Sequence, residues 1–177
     1  VFISHYHQDH LADLGVLQYA MLVMRQLGKK MQPLPIYAHD QDANGFGRLT
    51  RIQTTQGIPV RATDVSTIGP WRARFAPTTH PVYCLAARFA GAGKTLVYTA
   101  DTAWQDSLVS FARGADLIVA EASLYDQQRG TVPGHMSAGE AGRMAREAEA
   151  KALLLTHLPH HGEHDQLLLQ ARQQFPG

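Results

Sequence analysis

Short apolar, β-branched runs alternate along the chain with stretches of helical period. The runs at 1–4, 34–38, 58–62, 71–79, 82–89, 94–99, 116–120 and 152–156 have the content of strands. Helical period is clearest over 11–28, where Leu11, Leu14, Leu17, Met21, Met24 and Leu27 recur at spacings of three and four. Shorter helices are expected over 43–55, 104–112, 138–150 and 164–174. Ser137-Ala-Gly-Glu140 and Thr102-Ala-Trp-Gln105 both have the form of a capping box, in which hydroxyl and acid or amide satisfy the first helical amides. Pro33, Pro35, Pro59, Pro70 and Pro81 punctuate the boundaries. No repeat, linker or low-complexity tract interrupts 1–177, so a single domain is expected. Segment 71–99 has the pattern of a β-meander and 95–156 that of strand–helix alternation, which together predict an α/β (α+β) fold of sheets covered by helices. The chain opens directly on a strand-like run, whereas termini are normally exposed and frayed, so further strands N-terminal to it are expected.

At 177 residues, 45% apolar and 18% charged, the sequence can bury one globular core. Its longest apolar runs, such as 19–24 and 82–87, are six residues long against about 20 for a membrane span, so no membrane partner is expected. Cys84 is the single cysteine, suited to a small core position; an internal disulfide is excluded and a cytoplasmic location is the expectation. A formal charge of +1 argues against wholesale coating of nucleic acid. The outlier is histidine, ten copies of the commonest metal ligand against four lysines.

Four donors fall within six residues in His5-Tyr-His7-Gln-Asp9-His10, between a strand-like run and the start of a helix. Side chains two apart in extended chain share a side, so His5 and His7 can grip one ion together. Asp9 and His10, at the turn, point to where a second could sit. His80, Asp101 and His157 each follow an expected strand, so four strand ends deliver imidazole or carboxylate groups. Such a nitrogen- and oxygen-rich set suits Zn²⁺, with Mn²⁺ or Fe²⁺ as alternatives.

The series His5-x-His7-x-Asp9-His10, His80, Asp101, His157 resembles the ligand series of the metallo-β-lactamase superfamily, in the same order and over nearly the whole chain. The resemblance implies an αββα sandwich with the metal site at one edge between two sheets and with further strands before the first motif. It implies two divalent ions as cofactors, His5, His7 and His80 resembling the ligands of the first and Asp9, His10 and His157 those of the second. Asp101 resembles the carboxylate that bridges them. Histidine at 7 departs from the oxidoreductase branch, which carries Glu there. Asp101 and His10 depart from the antibiotic-hydrolysing class. Glu121-Ala-Ser, with Gly134-His135 just before a helix, is similar to the tRNase Z-like branch, near which the small cyclic phosphodiesterase of phosphonate metabolism also falls. The Gly/Pro-rich arm with which tRNase Z enzymes clamp tRNA is not seen between His10 and Gly177.

His135 lies two residues before Ser137, where free amides and the helix dipole favour an anion. It could bind a phosphate oxygen or protonate a leaving alkoxide, with Glu121 keeping it oriented and charged. The expectation is therefore a dinuclear phosphodiesterase in which a metal-bridging hydroxide attacks phosphorus, Asp9 takes the nucleophile's proton and His135 with Glu121 assists departure. The substrate would be a small cyclic phosphodiester or an RNA end, and a homodimer is compatible with the sequence. The alternatives are a thioester or lactone hydrolase using the same ions, and a non-catalytic metal-binding domain. Two weaker signals are a loop with His160, His161 and His164, and six arginines (48, 51, 61, 72, 74, 88) against one acid, Asp64, between Ala43 and Phe89. The loop is expected to be an ordinary polar one. The arginines are solvated faces or a phosphate-binding rim.

Overall fold

The computed structural model of the protein describes residues 1–176. The chain forms two compact units, Val1–Arg61 and the part from Ala62 onward. In the first, β1 (Leu34–Ala38) pairs in parallel with β2 (Thr55–Pro59). The run expected as a strand at 1–4 supplies one bridged pair, Phe2 with Tyr37, fixed by Ile3 N–H donating to Tyr37 O (2.9 Å) and Tyr37 N–H to Val1 O (2.9 Å). β2 starts three residues before the expected 58–62 and ends at Pro59, with Val60 N–H still donating to Ala38 O (2.9 Å).

The long helix is α1 (Leu14–Gln26), beginning three residues late because Gln8–His10 forms a 3-10 turn. It ends at Gly28, whose φ of +81° suits glycine, with Lys29 N–H donating to Met24 O (3.1 Å). The helix expected over 43–55 shrinks to α2 (Ala43–Gly47). Asp42 caps it by accepting from Gly45 N–H (2.9 Å), and the backbone turns out at Gln53 with φ +66°. Leu11, Leu14, Ile36, Ala38 and Leu49 form the core of this unit.

The second unit is built on a six-stranded sheet in chain order: β3 (Val65–Ile68), β4 (Trp71–Pro77), β5 (Leu85–Gly91), β6 (Lys94–Tyr98), β7 (Leu117–Glu121) and β8 (Leu153–Thr156). β3 to β6 run as an antiparallel meander; β6, β7 and β8 are parallel, with crossovers through α3 (Asp106–Ala112) and α4 (Ala138–Glu147). β3 is absent from the sequence expectation, being four residues long and only half apolar. The last helix, α5 (His164–Gln174), packs against α4, where Gly142 leaves no room for a side chain: a Cβ there would lie 2.4 Å from Ala171 O. Leu108, Val109, Ala112, Met144 and Ala145 of α3 and α4 bury Val97, Ile118 and Ala120 of the sheet. Each such large apolar side chain gains roughly 1.5–3 kcal/mol on full burial.

Ser137 and Glu140 form the expected capping box, Ser137 Oγ accepting from Glu140 N–H (3.3 Å) and Glu140 Oε2 from Ser137 N–H (2.9 Å). The box expected at Thr102 does not form. Thr102 N–H donates to Glu121, its hydroxyl donates to Ala103 O (2.7 Å), and α3 starts after Gln105 without a side-chain cap. Among the described residues no helix is long and apolar enough to cross a membrane.

Candidate metal centre

In the first unit the chain leaves its pairing with β1 after Ile3 and enters the histidine motif. His5 is fully buried, and its Nδ1 lies 3.1 Å from Ser4 Oγ, which turns Nε2 towards His7. His5 Nε2 and His7 Nδ1 are 3.1 Å apart. Two imidazole nitrogens on one tetrahedral zinc would be about 3.3 Å apart, so the pair fits a shared ion. The His10 ring is tilted 49° to that of His5 with centroids 4.1 Å apart, and its Nε2 lies 3.3 Å from Asp9 Oδ2. Tyr6, between the two histidines, is locked: its hydroxyl donates to His39 O, and its ring fills the space a side chain at Gly45 would need. Burial, then Asp42 and Asp40, push that hydroxyl well above the usual phenol value, so it stays a donor.

In the second unit the parallel strands β6, β7 and β8 end side by side; Glu121 is the last residue of β7, and Asp101 and His157 stand just past the C-terminal ends of β6 and β8. Asp101 is buried, and its Oδ2 lies 3.5 Å from His157 Nε2. Strain accompanies both placements: Ala100, just before Asp101, and His157 itself hold φ of +53° and +51°, left-handed values unusual for side-chain-bearing residues. His80 follows β4, and its Nδ1 lies 3.0 Å from Gly134 O, which presents Nε2 as the ligand atom. Ligand atoms of His80 and Asp101 lie within 4.8 Å of each other, as do those of Asp101, His135 and His157.

Glu121 is fully buried and collects donors: Thr102 N–H (2.8 Å), Ser123 N–H (3.2 Å), Ser123 Oγ (2.7 Å) and His135 Nδ1 (3.0 Å). Ser123 Oγ also lies 2.6 Å from His157 Nδ1. A serine has one proton. With the serine O–H donating to Glu121, His157 Nδ1–H donates to Ser123, which leaves His157 Nε2 as the atom facing Asp101. His135 ends the loop before α4, its ring stacked on His157 at 5.5 Å and 5.2 Å from His80.

Of the residues singled out in the sequence, His5, His7, Asp9 and His10 gather in the first unit. His80, Asp101, Glu121, His135 and His157 gather in the second. In the histidine loop, His164 Nε2 bonds Pro159 O (2.8 Å) and the His161 ring meets Tyr125, as an ordinary loop would. Sequence reasoning gave no role to Ser123 or Gly134. Their signals were their places, two residues after Glu121 and directly before His135. A Cβ at Gly134 would lie 2.4 Å from Pro81 Cδ and 2.7 Å from His80 Nδ1, and its φ is +83°.

A family model for the beta-lactamase superfamily domain matches residues 1–158. YhfI of Bacillus subtilis (strain 168), named a probable metallo-hydrolase, is 48% identical over 177 residues, which are all of this chain and 72% of that protein. The crystal structure of YhfI, described as a metallo-beta-lactamase fold protein, superposes with a TM-score of 0.95 over 100% of this chain and 72% of that one. The short form of human tRNase Z is 21% identical with a TM-score of 0.70, over 90% of this chain and 71% of that one. A diphosphatase from the PhnP family is 19% identical with a TM-score of 0.73, over 99% and 65%. At those identities the last two speak to the fold alone.

Proposed function

The chain belongs to the beta-lactamase superfamily, and from that membership we propose that it is a dinuclear metal-dependent phosphodiesterase. Its fold is the mixed α/β fold of metallo-β-lactamase type, and its similarity to YhfI supports metal-dependent hydrolysis as the general chemistry. Two divalent ions, zinc first among them, would be held by His5, His7 and His80 and by Asp9, His10 and His157, with Asp101 common to both. When bound, such ions polarise a phosphoryl group and make water acidic enough to serve as a nucleophile near neutral pH. Asp9, whose side chain is 61% exposed, takes the proton that the nucleophile gives up.

The observation that carries the choice of phosphodiester is the Glu121–His135 pair beside His157. Glu121 accepts from His135 Nδ1 at 3.0 Å, which fixes the ring. Nε2 is then the atom that hands a proton to the departing alkoxide. The free amides expected at the N-terminus of α4 are already taken, Ala138 N–H by Leu124 O, Gly139 N–H by Asp126 Oδ1 and Glu140 N–H by Ser137 Oγ, so the pair and not the helix end supports this choice. The thiolate that leaves a thioester needs far less of this help, and a purely binding domain needs none. The substrate we infer is a small cyclic phosphodiester or an RNA end. Metal-replete protein assayed on bis-p-nitrophenyl phosphate, a thioester and a lactone tests the reading. Preferred turnover of the phosphodiester supports it; preferred turnover of either carbonyl substrate overturns it.

A further inference from the structure

The two faces of the six-stranded sheet alternate residue by residue, and one of them is covered unevenly. Over β6 to β8, α3 and α4 bury Val97, Ile118 and Ala120. The ladder sets Arg88 opposite Val97, Arg74 opposite Arg88, and Val65 opposite Arg74, so this face continues across β5, β4 and β3. There it carries Arg72, Arg74 and Arg88, which with Asp64, Val65 and Ala90 line a cleft of about 520 Å³.

Like charges directly opposite in an antiparallel pair weaken a sheet, so the Arg74–Arg88 pair works against the fold unless something else sits there. Arg88 cannot relieve the repulsion by swinging out. Its Nη1 donates to Phe111 O (3.0 Å) and Arg113 O (3.1 Å) at the end of α3. Burial, and then Arg74, hold its pKa below the usual arginine value, the mark of a cation whose surroundings disfavour its charge. Asp64 is the one carboxylate in the lining, against three guanidinium groups.

We propose that this cleft is an anion-binding site for a run of consecutive phosphoryl groups. The spacing and donor chemistry favour that class. Arg72 and Arg74 stand about 6.6 Å apart along β4, and Arg74 and Arg88 about 5 Å apart across the ladder, so separate oxyanions can each meet a planar fork of donors. No lining residue is aromatic, so the cleft grips phosphates without stacking bases. Free polyphosphate and the backbone of a single-stranded RNA share this chemistry. None of the proposed metal ligands lines the cleft, and the site does not depend on the phosphodiesterase reading.

Binding of sodium tripolyphosphate by calorimetry, and of a labelled oligouridylate by fluorescence anisotropy, tests the site on the metal-replete chain. The same measurements on Asp101→Ala separate cleft binding from binding at the metals, and cleft binding should survive that change. The double variant Arg72→Gln/Arg74→Gln changes two exposed side chains. It should bind about tenfold more weakly while hydrolysing bis-p-nitrophenyl phosphate at the wild-type rate. For the oligonucleotide, the slope of log affinity against log salt should flatten by about 1.4, two contacts at roughly 0.7 each. Val65→Glu, which places a carboxylate in the cleft, should weaken binding as well. Arginine-dependent binding of tripolyphosphate alone assigns the site to free phosphate chains, and of oligouridylate alone to RNA. Affinities for both probes unchanged by the double variant, or no binding of either, would overturn the proposal.

Discussion

Ser123 Oγ stands 2.6 Å from Nδ1 of His157, and so joins a proposed metal ligand to the pair proposed as the general acid. The same oxygen lies 2.7 Å from Glu121 Oε2, so one hydroxyl sets the tautomer of His157 and helps hold the carboxylate that orients His135. Ser123→Ala should weaken metal binding about 10–100-fold, the usual cost of removing the partner that orients a ligating histidine. Ser123→Thr, which keeps the hydroxyl, should restore most of it. Competition with a chromophoric chelator gives both affinities. Equal zinc affinity in wild type and Ser123→Ala would remove the link.

His135→Ala should leave the metal content unchanged and slow phosphodiester turnover by about 10²–10⁴-fold. The loss should shrink as the leaving group becomes more acidic, because a good leaving group departs without a proton. Rates across a series of aryl and alkyl phosphodiesters show this as a steeper leaving-group dependence in the variant. Parallel slopes would mean that His135 gives up no proton.

Gly134→Ala should disturb His80 in a protein that stays folded. The added Cβ would fall 2.7 Å from His80 Nδ1, on the residue whose carbonyl bonds that ring, at a φ of +83°. The left-handed backbone alone costs an alanine roughly 1 kcal/mol. Circular dichroism should therefore be native, while zinc affinity falls. Wild-type affinity would show that the ring of His80 does not depend on Gly134.

Much of the second unit was legible in the sequence because its strands are short apolar runs that end in a single polar group. Asp101, Glu121 and His157 follow such runs directly, and the parallel pairing of β6, β7 and β8 lines up their ends. β3 escaped because Val65-Ser-Thr-Ile68 has too few apolar positions to show a period. Phe46, Leu49 and Ile52 keep a helical spacing past the point where Gly47 ends α2, so the pattern over 43–55 overstates this helix. The place of Ser123, two residues after Glu121, hints at its contact with that carboxylate but not at its contact with His157. That second contact is with a residue 34 positions away, at a backbone φ of +51° that no pattern announces.

Away from the site, Asp116 ties the start of β7 to its surroundings. It accepts from Thr95 N–H (2.8 Å) and Lys151 Nζ (2.8 Å), with Lys94 Nζ at 3.6 Å. The Lys151 hydrogen bond first, then that from Thr95, draws its pKa down from 3.8 to about 2. A carboxylate lowered on folding stabilises the protein above its unfolded pKa and loses that contribution as pH falls through the folded one. The stability gap between wild type and Asp116→Asn should thus be full above about pH 4 and close towards about pH 2. Denaturant unfolding across that range measures it, and a gap that stays constant would contradict the assignment.

The central claim, phosphodiester hydrolysis at a two-metal site, is tested most directly by adding zinc back to metal-stripped protein while following hydrolysis of bis-p-nitrophenyl phosphate. Two ions shared through Asp101 predict activity that rises to a plateau at about two equivalents of zinc per chain. A plateau at about one equivalent, with the second ion adding nothing, would contradict the dinuclear account.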